Sequence, residues 1–395
     1  MKQGHRFVDS DMHIMEPDDF LDTYLDPSFK SRVSTPVHRT NEKQHFTQGW
    51  VIDGLPNNRD QLNLQYNRVI DPLASANNNP HVMFAYEAGY DAESFVRGMN
   101  AEGVDIAVLF PSAGLSLIAR DGMDPLLSAA LARAYNDWLH DFCSYCPSRL
   151  RMAAMLPLHD VNLACNELIR SVDKYHAAGA FLRPNIVNNH YWHSKYWDPL
   201  YRLLEEMAIP LCFHEGAGAH ISAMGPRFGE NKFMRHVACH PIEMQLATIA
   251  MMLGGVFELY PNLKVGYLEA QSWWVPGLIE RMQWDLQHHG GEAPLLKRPV
   301  LEYWQRNCFS AIEGTEKHIG HVIESVGADN LCVSTDFPHF DSNFPNVSSA
   351  VLNNPSILRD DAAKILYGGA RLYGVTKEDF AKADRDTAVH SSSSI

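Results

Sequence analysis

The feature that most constrains this chain is a set of metal-ligating residue types placed where short, strand-like runs end. Asp11 and His13 close such a run near the N-terminus. His214 closes another in the middle of the chain, and Asp336 closes the last one. A barrel of eight alternating strands and helices gathers the carboxyl ends of its strands at one face. The sequence therefore predicts that these four residues share one site.

The alternation of strand-like and helix-like segments predicts the fold class. It is readable from about residue 104 onward, and the strand before Asp11 brings the number of strands to eight, with helices between most of them. We therefore predict an α/β fold, a (β/α)8 TIM barrel. A doubly wound sheet is the alternative, but it would not bring the first and last strands together. The predicted strands lie near residues 6–8, 104–111, 151–157, 179–184, 209–214, 263–269, 307–312 and 330–336.

Residues 1–375 are predicted to form this barrel as one domain. Two segments of the chain do not follow the alternation of strands and helices. Residues 18–98 are rich in Asn, Pro and aromatic side chains. An excursion this long after the first strand should cover the top face as a lid or contact a neighbouring subunit, so a homo-oligomer, most simply a dimer, is expected. Residues 376–395 form a polar tail that we predict to be disordered.

Composition excludes some partners. The net charge of -14 argues against binding to a phosphate backbone, which needs clustered Lys and Arg, so no nucleic acid is expected. The longest apolar run, near residues 247–257, is too short to span a membrane, and no secretory signal is recognisable, so a cytoplasmic protein is expected. Cys143 and Cys146 have redox spacing, but we interpret them as buried side chains at the end of an amphipathic helix.

The residue types of the predicted site indicate a metal ion. Asp11 and His13 alternate on a strand, so both side chains face the same side. His and carboxylate ligands without a nearby thiolate suit Zn, Mn or Fe. The simpler interpretation is that Asp11 caps a turn and His13 lies in the core. The additional positions of His214 and Asp336 favour the metal site.

The same motifs make the chain similar to the amidohydrolase superfamily, in the branch that contains amino-carboxymuconate-semialdehyde, γ-resorcylate and 5-carboxyvanillate decarboxylases. The resemblance implies a distorted (β/α)8 barrel with a catalytic divalent metal. The first motif reads Asp-x-His, where many members have His-x-His and some decarboxylases have Glu-x-His; the carboxylate favours Mn or Fe over Zn. The matching segments are residues 9–17, 213–216, 235–241, 255–264, 274–276 and 334–339.

The resemblance also implies an acid–base group. His240-Pro241-Ile242-Glu243 resembles the His-x-x-Glu pair that carries proton transfer in related decarboxylases. We therefore predict His240 as the acid–base residue and Glu243 as the group that orients it, with Asp336 as a further catalytic candidate. The alternative is that His240 only caps the following helix.

A second metal ion would use Glu215, His236 and His240, because His236 and His240 share one face of a helical turn. Alternatively Glu215 only orients His214. Arg183 and Arg235 are candidate anchors for a substrate carboxylate, although a salt bridge is an equally good interpretation of Arg183. Glu269 and His339 also lie near strand ends, and the sequence does not decide whether they take part.

Three reactions remain open for this set of residues. The first is non-oxidative decarboxylation of a small aromatic or unsaturated carboxylic acid. The second is hydrolysis of a C–N, C–O or C–C bond, in which metal-bound water attacks and Asp336 accepts its proton. The third is a dinuclear Fe or Mn/Fe oxygenase that uses the second metal position. A non-catalytic subunit of the same fold is a fourth hypothesis. We favour decarboxylation, with a small-molecule carboxylate as the binding partner.

Overall fold

The computed structural model describes residues 4–35, 38–40, 45–47, 50–56, 79–216, 224–229, 231–339 and 341–392. Eight of its strands form one parallel sheet, and their order in the sheet is that of the chain: residues 8–13, 106–110, 150–155, 179–182, 211–214, 265–268, 308–312 and 331–333. The strands are β1 Val8–His13, β2 Val33–Ser34, β3 His38–Thr40, β4 His45–Thr47, β5 Val51–Ile52, β6 Leu55–Pro56, β7 Ile106–Phe110, β8 Leu150–Met155, β9 Gly179–Leu182, β10 Leu211–His214, β11 Val265–Leu268, β12 Cys308–Ile312 and β13 Leu331–Val333.

Helices follow the barrel strands and cover them. Several begin at a side chain that accepts a hydrogen bond from a backbone N–H, such as Asp124 before the helix at residues 125–143 and Asp160 before the helix at residues 161–175. The helices are α1 Phe20–Tyr24, α2 Met83–Glu87, α3 Ala92–Glu102, α4 Pro125–Cys143, α5 Val161–Tyr175, α6 Asp198–Glu206, α7 Lys232–Leu253, α8 Val256–Leu259, α9 Val275–His289, α10 Val300–Asn307, α11 Ile319–Val326, α12 Val347–Asn353, α13 Arg359–Leu366, α14 Gly368–Tyr373 and α15 Lys377–Ser392.

The first and last strands close the sheet into a barrel. The N–H of His13 donates to the carbonyl of Phe337 at 2.8 Å, and the N–H of Asp336 donates to the carbonyl of Asp11 at 3.2 Å. At the opposite end, α14 packs directly against these two strands. The contact is so close that a Cβ added to Gly368 would lie 2.0 Å from the Leu331 carbonyl oxygen. The predicted (β/α)8 TIM barrel is therefore confirmed, and the doubly wound alternative is wrong.

The described part of the insertion packs against this chain itself. The ring of Phe20 lies 5.2 Å from that of Trp138 in α4, and Arg32 pairs with Asp124 at 2.7 Å. Helix α3 begins at Ala92, inside the predicted insertion of residues 18–98, and buries Phe95, Val96 and Met99. Residues 57–78 of the insertion lie outside the described residues, and its role as a lid stays a prediction.

Two further segments differ from the sequence predictions. Pro241, expected in the first turn of a helix, lies inside α7, which begins nine residues earlier behind the cap of Asn231. Residues 376–395 were predicted to be disordered, but α15 occupies Lys377–Ser392. This helix is held to the barrel because Phe380 is buried and Arg6 donates to both carboxylate oxygens of Asp384 at 2.7 Å. The polar composition of the segment does not reveal these contacts.

Among the described residues, no helix is both long enough and apolar enough to cross a lipid bilayer. Cys143 and Cys146 are buried free thiols at the end of α4. Burial raises the pKa of the Cys143 thiol, which opposes formation of a reactive thiolate.

Candidate metal centre

The structure brings the four predicted ligands together at the carboxyl end of the barrel. Nε2 of His13 lies 3.1 Å from Nε2 of His214 and 3.6 Å from Oδ1 of Asp11. Nε2 of His214 lies 3.2 Å from Oδ2 of Asp11. Oδ1 of Asp336 lies 3.4 Å from Nε2 of His13. Strands β1 and β10 and the residues after β13 therefore aim their polar atoms at one small volume.

Backbone carbonyls set the orientation of the two histidine rings. Nδ1 of His13 lies 2.8 Å from the carbonyl of Pro111, and Nδ1 of His214 lies 2.5 Å from the carbonyl of Glu215. A carbonyl only accepts, so each Nδ1 must carry the proton. In the neutral rings, both Nε2 atoms then present a lone pair to the shared volume, which is the form in which histidine binds a metal.

The carboxylates of the cluster fit a cation equally well. Asp11 is fully buried, and neither of its side-chain oxygens has a hydrogen-bond partner within the described residues. Burial raises the pKa of Asp11, and burial together with neighbouring carboxylates raises that of Asp336 well above its usual range. A divalent ion would remove this cost by compensating the buried charge. The residues present therefore fit a metal ion.

Two further side chains join the cluster, and the sequence had left both undecided. Oε2 of Glu269, just after β11, lies 2.9 Å from Nε2 of His214. Nδ1 of His339 lies 2.7 Å from Oδ1 of Asp336, while its Nε2 lies 2.7 Å from Oγ of Ser112. Their positions just after strands β11 and β13 indicate that they could reach the site. Polar residues at strand ends are also common in ordinary surface loops, so this position alone did not decide the question.

His240 lies beside the cluster on α7. Its Nδ1 is 2.9 Å from the carbonyl of Glu269, and its Nε2 is 3.6 Å from Oε2 of Glu215. Nε2 has no hydrogen-bond partner within the described residues. Glu243, predicted to orient His240, accepts a hydrogen bond from the N–H of Met224 at 3.0 Å. The hydrogen bond to the Glu269 carbonyl therefore orients the ring of His240, and the role of Glu243 stays a prediction.

The predicted second-metal residues are neighbours, but other contacts also hold them. Nη2 of Arg183 donates to Oε1 of Glu215 at 2.6 Å, and the rings of His236 and His240 are 4.6 Å apart. The described residues contain two three-residue groups with metal-holding geometry, Asp11–His13–His214 and His13–Asp336–His339. Neither group contains Glu215, His236 or His240, so the second metal stays a prediction.

The predicted carboxylate anchors are both buried side chains with internal partners. Arg183 pairs with Glu215, and Nη1 of Arg235 donates to the carbonyl of Gly229. Nη1 of Arg183 has no hydrogen-bond partner within the described residues. Both arginines thus have a structural function, and a contact of either with substrate stays a prediction.

A cleft of about 720 Å³ opens beside the cluster. His240, Glu269 and Asp336 line its inner end, and Trp273, Glu313 and Asp341 line other parts of it. This volume suits a small molecule, which would meet Asp336, Glu269 and His240 together. Among the described residues that line the cleft there is no Lys or Arg. Positive charge for an anionic ligand would therefore come from the metal ion or from a protonated histidine.

Comparisons with known proteins agree with this architecture. A family model described as amidohydrolase matches residues 35–375. The gamma-resorcylate decarboxylase of a Polaromonas species is 27% identical over 304 residues, which cover 70% of this chain and 85% of that one.

Two solved structures have the same barrel. An amidohydrolase from Mycobacterium avium subsp. paratuberculosis has a TM-score of 0.72 at 19% identity, covering 93% of this chain and 98% of that one. A dihydroxybenzoic acid decarboxylase from Polaromonas, with bound manganese and 2-nitroresorcinol, has a TM-score of 0.63 at 19% identity, covering 95% and 99%. At these identities the likeness is one of fold.

Proposed function

This chain belongs to the amidohydrolase family, and from that premise we propose that it is a metal-dependent carboxy-lyase that removes CO2 from a small aromatic or unsaturated carboxylic acid. The observation that carries the proposal is the cleft that His240 lines together with Asp336 and Glu269 of the metal-ligand cluster. The gamma-resorcylate decarboxylase relative and the manganese-containing decarboxylase of the same fold support this choice of reaction.

The residues divide into metal ligands and proton carriers. Asp11, His13, His214 and Asp336 would hold one divalent ion, Zn, Mn or Fe. When bound, that ion supplies positive charge for the carboxylate of the substrate and for a neighbouring hydroxyl oxygen. This charge matters because the described walls of the cleft carry carboxylates and no Lys or Arg.

Loss of CO2 breaks one C–C bond and leaves its electron pair on the carbon of the substrate. That carbon needs a proton, and in this proposal His240 delivers it as an imidazolium: its Nδ1–H donates to the Glu269 carbonyl, so the proton on Nε2, which has no hydrogen-bond partner within the described residues, is the one transferred. Asp336 is the second candidate donor. The donor then recovers a proton from solvent. Because the electron pair of the broken bond stays on the product, the reaction consumes no oxidant.

The direct test is CO2 release by purified protein loaded separately with Mn, Fe(II) or Zn. We expect CO2 from at least one hydroxybenzoate, with 2,6-dihydroxybenzoate as the first candidate and its decarboxylated phenol as the product. Turnover should be the same with and without O2. A fully loaded enzyme that releases no CO2 from any of a panel of aromatic and unsaturated acids would contradict the proposal. Turnover that requires O2 would indicate the dinuclear oxygenase, and cleavage of esters or amides the hydrolase.

A further inference from the structure

The carboxylate of Glu269 points into the same volume as the predicted ligands. Its Oε2 lies 2.9 Å from Nε2 of His214 and 4.0 Å from Nε2 of His13. Although 2.9 Å is a hydrogen-bond distance, Oε2 accepts no hydrogen bond of acceptable geometry from the described residues, and neither do the oxygens of Asp11. These atoms are therefore aimed at a common point rather than at one another.

The backbone of Glu269 is held in an uncommon conformation. Its φ is +53°, in the left-handed region that non-glycine residues seldom adopt. Asp336 has the same property, with a φ of +52°. Such strain persists where the surrounding structure enforces it, and it concentrates at functional sites. At both strand ends, the left-handed residue is the one whose carboxylate enters the cluster.

The spacing of the polar atoms fits an ion with six ligand positions. For ligand distances of about 2.1 Å, neighbouring ligand atoms around such an ion lie about 3.0 Å apart and opposite ones about 4.2 Å apart. The separations of His214 from Glu269, His13 and Asp11 are 2.9, 3.1 and 3.2 Å, as expected for neighbours. The 4.0 Å between His13 and Glu269 approaches the opposite spacing. The remaining separations, 3.4 Å between His13 and Asp336 and 3.6 Å between His13 and Asp11, lie between these two values.

We propose that Glu269 is a fifth ligand of the ion held by Asp11, His13, His214 and Asp336. Three carboxylates and two imidazoles then surround the ion and leave one position for substrate. This donor set suits Mn²⁺ or Fe²⁺ better than Zn²⁺, which prefers four ligands in structural and catalytic sites. The inference rests on the proposed metal site but not on decarboxylation, so the two can fail separately.

Metal affinity tests the inference without any substrate. Glu269→Gln keeps the size of the side chain and removes its charge. Glu313→Gln makes the same change at another carboxylate of the cleft and serves as the control. Titration of the metal-free proteins should show that Glu269→Gln raises the Kd for Mn²⁺ at least about tenfold, since even groups that only support a ligand change affinity by about 10–100-fold. The loss for Zn²⁺ should be smaller. Glu313→Gln should stay within threefold of the parent protein for both ions.

Thermal unfolding in chelator separates ligand loss from misfolding. In chelator, Glu269→Gln should keep a single cooperative unfolding transition, which shows that the variant folds without the ion. Saturating Mn²⁺ should then raise its Tm less than it raises that of the parent. A variant that binds Mn²⁺ within threefold of the parent would overturn the proposal. Loss of the cooperative transition in chelator would overturn it by assigning Glu269 a structural role, and equal losses of affinity for Mn²⁺ and Zn²⁺ would contradict the six-position coordination.

Discussion

At the scale of single residues, the candidate centre depends on how neighbours fix each polar atom. The carbonyls of Pro111 and Glu215 fix the rings of His13 and His214, so that their Nε2 lone pairs face one volume. His339 lies against Asp336, with its Nδ1 2.7 Å from Oδ1 of that carboxylate and its Nε2 2.7 Å from Oγ of Ser112. Removing a ligand should therefore act on metal binding first and on chemistry through it.

Asp336→Asn should lower metal content and CO2 release together. The amide keeps the shape of the side chain, but its neutral oxygen is a weaker ligand for a hard divalent ion than a carboxylate. Elemental analysis after dialysis, alongside the CO2 assay, measures both effects. Asp329→Asn, which changes an exposed partner of Lys364, should leave both unchanged. Full metal content with full activity in Asp336→Asn would remove this residue from the ligand set.

His240→Ala should separate chemistry from metal binding. If His240 is the proton donor, kcat should fall roughly 10²–10⁴-fold, the usual contribution of a general acid or base, while the metal content stays that of the parent. Elemental analysis and steady-state kinetics on the same preparation give both values. A loss of activity that follows a loss of metal would instead make His240 a ligand.

At the scale of helices and strands, α15 shows what packing adds to a polar sequence. Phe380 is buried, and the guanidinium carbon of Arg6 lies 4.9 Å from the centre of its ring. Phe380→Ala should lower the free energy of unfolding by about 3–5 kcal/mol, as expected for a truncated buried aromatic side chain. Asp384→Ala breaks only an exposed ion pair with Arg6 and should cost at most about 1 kcal/mol. Urea unfolding followed by circular dichroism compares the two, and equal effects would show that α15 is not held by its apolar contacts.

The same elements show where sequence reasoning worked and where it stopped. The barrel strands were predictable because parallel strands covered on both faces are nearly continuous apolar runs that end at polar residues. The start of α7 was missed because Pro241 looked like a first-turn residue, although Asn231 carries the capping signal. Glu269 was undecided because its role depends on a left-handed backbone turn after β11, which the residue type does not reveal.

At the scale of the whole molecule, the candidate ligands lie across the closure of the barrel. Asp11 and His13 belong to β1, the first strand, and Asp336 follows β13, the last. Close to the site, these strands are joined by the hydrogen bonds from His13 to Phe337 and from Asp336 to Asp11. A bound ion would add a second link across this closure, so metal binding and barrel stability should be coupled.

Removal of the metal should therefore destabilise the barrel, most strongly where β1 meets β13. A ligand that binds only the folded state adds about 2.7 kcal/mol when its free concentration is 100 times its Kd, and chelation removes this contribution. Chelator should lower the Tm of the parent protein and leave that of Asp336→Asn nearly unchanged. Hydrogen exchange should accelerate for the backbone amides of β1 and of residues 334–339 more than for those of β8 and β9, which lie away from the closure. Uniform acceleration in all eight strands would show that the ion stabilises the fold without linking its first and last strands.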